Sequence, residues 1–397
     1  MRQLMTVSLL VHAHVGSVHR HPCIRAIEDP IAKVEEYFRL QSCPADITVV
    51  ADEAGADLQL QLWCWLADGS AAPTDAARVL VVPSLTSSEA ERLADLPNNA
   101  GDAHLPLLEL LPPALPTGLM MAASELPASG TTGVLEDEEE AAEARTRTWV
   151  DRTLSPSGLS FCPFTESSDL SAAGLEMSGV MAAPIRYATC TSDRLADLMA
   201  EFWEAVCIFM AEGEEGCSSV ILSAPRWDSK SGWDKWCQVV FPLIEASLDA
   251  AGLDLELGVV CFHPLYETPP DTWLEHSRFG HMHRTSRLRD YIKLHDAALA
   301  AKTGDEELLW AGSYQRRSPH AMINLLWASQ LEMAEARRSP SVLYTRNIRV
   351  ALTHGRQQLE QAAETERGLL SRLPVRAVPR DPDPEFASCD RAADDVR

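Results

Sequence analysis

Three stretches of this chain carry side chains suited to chemistry. Cys162 stands in SPSGLSFCPFTE, ahead of Pro163, in a loop-forming stretch and not in an apolar run. A thiol acts as nucleophile or redox group through its thiolate, which needs positive surroundings. Arg317 or the basic residues of 276–295 could supply them; a structural thiol is the other reading. His263 closes the apolar run LELGVVCFHPLY, with Tyr266 three residues on. In open α/β sheets ligands lie beyond the carboxyl ends of the strands, which puts His263 where an acid, base or ligand would be built. The other reading is a histidine hydrogen-bonded at a strand end while Pro264 turns the chain. In Arg316-Arg317-Ser318-Pro319-His320, Ser318 suits a helix N-cap and Pro319 the first helical position, so the spacing predicts a helix over 318–336. Its free N–H groups and the planar donor fork of Arg317 would together favour a phosphate or carboxylate, with His320 in the first turn. The bland alternative is a capped helix with a surface arginine pair.

His276, His281, His283 and His295 could join His263 around a metal, the H-x-H pair placing two rings on one side. No acidic ligand or familiar zinc spacing accompanies them, and HMHRTSRLRDYIKLH reads better as an exposed basic helix or loop. No Walker loop, GxGxxG, GxSxG or HExxH is present. The sequence leaves any cofactor unknown.

Charge narrows the partners. The 397 residues carry a formal net charge of -24, which opposes nucleic acid and anionic membranes. Residues 276–349 run the other way, with 12 Lys and Arg against 7 Asp and Glu. A basic patch inside an acidic protein points to a local anion site or to a solvated helix face. The ten cysteines show no CxxC and mostly apolar flanks, the pattern of reduced core thiols in an intracellular protein. No run approaches the roughly 20 apolar residues of a membrane span. Residues 1–27 hold no acid before Glu28 and read as a disordered or targeting segment, transit-like in charge and compatible with cytoplasm or organelle.

The elements that must position these residues are those of an α/β protein. Residues 28–96 read as a small α/β module: a helix over 28–40, strands ITVVA (47–51), LQLQLWCWL (58–66) and RVLVVP (78–83), and a helix from Ser87. The turn formers of 97–135 read as a linker. Residues 136–372 form the main domain. An acidic-start helix covers 136–154, favoured by the macrodipole. Strand, helix, strand, helix and strand then follow at 185–190, 192–213, 218–225, 231–252 and 255–261. This βαβαβ order, with near-continuously apolar strands, is an open sheet with flanking helices. A second late helix is expected over 340–372, and a disordered tail over 373–397.

Several of these segments share an order with a known family. Trp149, Cys162-Pro163-Phe164, Phe262-His263-Pro264 with Tyr266, Arg317-Ser318-Pro319 with Leu325-Leu326, and Arg346-Asn347 resemble the domain of unknown function family 1415. That family typically shows LCPF, FHPxY, NRSPYP, LHLLRE and a late RN pair. The resemblance covers about residues 145–360. It implies a shared set of positions, Cys162, Phe164, His263, Tyr266, Arg317, Ser318 and Asn347, without an established reaction. Here Arg316 replaces the family's Asn, His320 its aromatic, and Leu325-Leu326-Trp327-Ala328-Ser329 lacks the Glu of LLRE.

The sequence thus leads to an expected site for a small anionic molecule, with Arg317, Ser318, His320, Tyr266 and Asn347 binding. His263 would be acid, base or orienting group, and Cys162 nucleophile or redox thiol. A non-catalytic protein-interaction module is the competing expectation. Metal binding by His263, His281 and His283 is the third.

Overall fold

The computed structural model describes residues 25–41, 45–50, 54–69, 77–102, 104–121, 136–176, 179–268, 284–337 and 339–368. The expected targeting segment up to residue 24, the tail, and His276, His281 and His283 lie outside them.

The fold is mixed α/β with two sheets. The first contains β1 (Ala45–Val49), β2 (Ala77–Val81), β3 (Leu108–Leu110) and β4 (Gly118–Met121) in the order β1-β2-β4-β3. β1 and β2 are parallel and the other pairs antiparallel. β3 and β4 fall inside the stretch expected to be a linker. Its prolines Pro112, Pro113 and Pro116 make the hairpin turn between two short apolar strands.

The alternating stretch LQLQLWCWL is a helix, α2 (Gly55–Gly69), and not the expected strand. Leu58, Leu62 and Leu66 recur every four residues and are all buried. The Trp63 indole donates to Gln59 Oε1 at 3.2 Å, one turn back. Both periods fit the sequence, and packing selects the helical one. Helix α1 (Arg25–Leu40) covers one face of this sheet through Val34 and Phe38, which meet Val79 and Val81. Helix α3 (Ser87–Asn98) starts one residue after its cap, Thr86, which forms a reciprocal capping box with Glu89.

The second sheet runs β5-β6-β7-β9-β8, comprising β5 (Leu170–Ser171), β6 (Ala183–Thr189), β7 (Ser219–Ala224), β8 (Leu257–Phe262) and β9 (Ala321–Trp327). β6 and β7 are parallel, as the βαβ pattern requires. Helix α5 (Leu195–Gly216) links them. The segment from β7 to β8 is α6 (Lys230–Lys235), a π turn over 236–240 and α7 (Phe241–Ala250), with Pro242 at the start of the last. The chain leaves α7 through Gly252 at φ 72°.

The expected helix over 318–336 is replaced over its first half by β9, which lies between β7 and β8 and is antiparallel to both. AMINLLW is a short apolar run without a helical stripe, and both its faces are covered. Ala321, Ile323, Leu325 and Trp327 point into the core shared with α5 and α7. Met322 enters the opposite core with Phe262, Ile221 and Ile185. Helix α11 (Ala328–Arg337) begins only after the strand. Burial of each such aliphatic side chain is worth about 1.5–3 kcal/mol, more than cap chemistry contributes at a helix start.

The opposite face is covered by α4 (Glu136–Trp149), α8 (Thr285–His295), α9 (Ala297–Lys302), α10 (Asp305–Tyr314) and α12 (Pro340–His354). The single late helix expected over 340–372 is two, because Gly355 adopts φ 82° and separates α12 from α13 (Arg356–Glu366). Leu62, Trp63 and Leu80 of the first unit and Phe202, Val206 and Ile323 of the second belong to one core cluster. The N-terminal module is therefore packed onto the main domain through α2 and α5; residues 122–135 of the expected linker lie outside the described residues.

A π turn over 150–154 ends α4 and leads through Gly158 to the Cys162 loop. A Cβ at Gly158 would stand 1.9 Å from the carbonyl oxygen of Arg152, a backbone atom with little room to retreat. Gly158→Ala is expected to cost about 3 kcal/mol, read as a lower urea midpoint. An unchanged midpoint would contradict this close approach.

Candidate functional site

His263 follows the last residue of β8 and is fully buried. Its Nδ1 accepts the Leu265 N–H at 3.0 Å, so Nε2 carries the proton and donates to Trp227 O at 2.9 Å. Its backbone N–H donates to Arg316 O and its carbonyl accepts from Tyr266 N–H. Trp233 stacks at a tilt, with ring centroids 5.0 Å apart. Burial lowers the imidazole pKa, and the bond to Trp227 opposes this in part. Every polar group of His263 is thus engaged with backbone, and the ring is held neutral. This geometry corrects the expected acid/base role to that of a buried pin between β8, the Trp227 turn and Arg316. It removes His263 as a metal ligand too, and no cluster of three metal-ligating side chains occurs among the described residues.

The other positions of the family resemblance meet as stitches of the same kind. The Trp149 indole donates to Arg317 O at 2.9 Å. The Asn347 amide donates to Phe161 O at 2.9 Å, tying α12 to the Cys162 loop. Asn347 therefore acts on the backbone rather than on a ligand. Cys162 is half-buried, and its N–H donates to Leu154 O at 3.2 Å. It packs beside the cluster of Trp149, Val150 and Leu154. Among the other thiols, burial pushes Cys190 and Cys261 up to about 12, consistent with core cysteines.

No helix begins at Ser318, so the expected N-terminal anion cradle is absent there. The Ser318 hydroxyl instead donates to His320 O at 2.5 Å. His320 donates from Nδ1 to Asp228 Oδ2 at 2.8 Å and accepts Arg145 Nε–H at Nε2, 3.0 Å. Asp228 Oδ1 also takes the Ala321 N–H at 2.6 Å. This clamp fixes the entry to β9 against α4. Tyr266 is buried with no partner for its hydroxyl among the described residues, and its carbonyl accepts Arg317 Nε–H at 3.3 Å. Arg316, the departure from the family's Asn, lies with its guanidinium 5.3 Å over the Phe262 ring and donates to Tyr344 OH at 3.2 Å.

Arg317 keeps a different position. It faces an open pocket of about 390 Å³ that also reaches Ser318 and Tyr314. The turn after β8 contributes Pro264, Leu265 and Glu267, and α6 contributes Lys230 and Trp233. The far wall is α13 and the residue beyond it: Glu360, Ala363, Glu364 and Arg367, spaced to share one helix face. Glu360 Oε1 accepts Arg356 Nε–H at 2.9 Å, Trp310 Nε1–H at 3.2 Å and Arg317 Nη1–H at 3.5 Å. Arg317 makes the longest of these three contacts. Burial lowers its pKa, Glu360 works against that, and Arg356 adds to it. Among the described residues, Lys230, Glu267, Glu364 and Arg367 make no ion pair and Arg367 Nε, closed to solvent, has no partner. The pocket thus gathers Arg317, Ser318 and the turn before Tyr266, but not the side chains of Cys162, His320 or Asn347.

The residues of α6 and α13 escaped sequence reasoning. The 360/363/364/367 spacing was a legible signal, but a charged stripe beside Ala363 reads as a solvated helix face. Among the described residues no helix is long and apolar enough to cross a membrane. No family model, curated protein or solved structure matches the chain.

Proposed function

We propose that this protein binds a small anionic metabolite, through a phosphate or carboxylate, in the pocket walled by the β8 turn, α6 and α13. The carrying observation is Arg317. Its guanidinium reaches the pocket with two long contacts, 3.3 Å to Tyr266 O and 3.5 Å to Glu360, and burial disfavours its charge. A partly desolvated cation with incomplete compensation is stabilised by a ligand anion, and the planar fork suits a carboxylate or phosphate. Ser318 lines the same wall. In this reading binding is assigned and catalysis is not, because the polar groups of His263 are spent on the backbone and Cys162 stands off the pocket lining.

We further propose kinship with the domain of unknown function family 1415. The support is that the matching positions are neighbours across the fold: Trp149 on Arg317, Asn347 on Phe161, His263 on Arg316. The same observation favours a second reading, a non-catalytic protein-interaction module, since these side chains hold backbone together.

Thermal unfolding of the full chain against phosphorylated metabolites and carboxylic acids separates the two. A binding ligand raises the midpoint by mass action. An anion should give a shift that Arg317→Ala removes while unfolding stays cooperative, with affinity down about tenfold or more. No shift with any anion would sink the binding reading and favour the module.

A further inference from the structure

The pocket carries both signs of charge, and this bears on what enters it. Resting on the anion-binding reading, we infer that the ligand is amphoteric: a free amino acid, with its carboxylate on Arg317 and its ammonium on Glu364.

A bare anion fits the lining poorly. Arg317, Lys230 and Arg367 are matched by Glu267, Glu360 and Glu364, so the walls sum to no net charge. An anion placed on Arg317 alone would also meet unpaired carboxylates. Glu360 is already occupied by Arg356 and Trp310, but Glu364 has no ion pair among the described residues. Glu364 stands one helical turn from Glu360, the carboxylate that Arg317 already touches. A molecule with both charges a few bonds apart satisfies the two walls together, where a single charge satisfies one and is repelled by the other.

The rest of the pocket suits a side chain. Trp233, Pro264 and Leu265 form an apolar wall, and a volume of about 390 Å³ holds a small metabolite with solvent. The Trp233 ring also packs 5.0 Å from His263, centroid to centroid, so this wall is anchored to the buried pin at the end of β8.

The test is isothermal titration calorimetry of the full chain with the twenty common L-amino acids, phosphate, acetate and succinate. It continues with the N-acetyl and carboxamide forms of any amino acid that binds. One or more free amino acids should bind, and blocking either end should weaken binding about tenfold or more. Glu364→Gln should weaken the free amino acid by about tenfold and leave its N-acetyl form unchanged. Equal affinity for free and N-acetylated forms, or binding of the simple anions but no amino acid, would overturn the inference and leave the Arg317 reading standing. No binding by any probe would overturn both.

Discussion

His263→Ala is expected to lower the unfolding free energy by about 3–5 kcal/mol. Two costs add. The ring is removed from between Trp233 and Trp236 at a fully buried position, leaving a cavity. The Trp227 carbonyl and the Leu265 N–H are also left without partners. His263→Asn should cost less, because its side-chain oxygen can take the Leu265 N–H. The pH dependence follows from the lowered pKa. The folded state favours the neutral ring, so this contribution is present above the ordinary pKa of about 6.5 and is lost as pH falls through the folded value. The gap between wild type and His263→Ala should therefore narrow in acid. Urea titrations at several pH values measure it. A loss under about 1 kcal/mol at neutral pH would refute the pin and reopen a chemical role for the ring.

Glu201→Gln is expected to act in the opposite direction and stabilise the protein. Glu201 lies on α5, partly buried, with Glu204, Glu139 and Asp197 nearby. Burial, then these carboxylates, raise its pKa to about 7. The acidic start of α4 contributes Glu139 to this cluster, while Glu138 and Glu143 are paired with Arg226 and Arg147. The folded state favours the protonated acid. Its contribution is complete below the unfolded pKa of about 4.5 and is lost as pH rises through 7. At pH 8 the ionised side chain costs at most about 3 kcal/mol, and Gln, which resembles the neutral acid, recovers most of that. Near pH 4.5 the two proteins should unfold alike. A variant no more stable than wild type at pH 8 would rule out a carboxyl forced into its ionised form there. Between about pH 4.5 and 6.5, Glu201 and His263 therefore pull stability in opposite directions.

Strands β7 and β8 are legible in the sequence because each is a short apolar run buried on both faces, and β6 because IRYAT alternates between buried and more exposed positions. The new helical start at Pro242 and the stop at Gly252 are legible for backbone reasons that context does not alter. Three elements are not. LQLQLWCWL satisfies periods of two and of four, and only its neighbours choose. The Arg-Ser-Pro segment imitates a helix start, while the seven residues after it are too short and too uniformly apolar to show a period. Gly355 divides a long helical pattern through a conformation that no neighbouring residue announces. The site follows the same rule. Arg317 stands out because paired arginines before Ser-Pro are unusual, and its place on the pocket wall does not depend on the missing helix. Glu360, Glu364 and Arg367 are hidden because surface helices are full of such residues. His263 was found for its position at a strand end, yet its role lies in how Trp227 and Leu265 approach it, which spacing alone does not encode.

The placement of β9 has a consequence for how the protein is made. β7 and β8 lie parallel but never touch; 58 residues (263–320) separate Phe262 from the strand that joins them. During vectorial synthesis the chain must therefore carry two apolar strands with facing edges unfilled until residues 321–327 have left the ribosome. Pairing that spans such a sequence distance is slow to form, and open edges invite other chains. The main sheet closes last between β7 and its edge strand β8, so a nascent chain that stalls before Ala321 is the most vulnerable form of this protein.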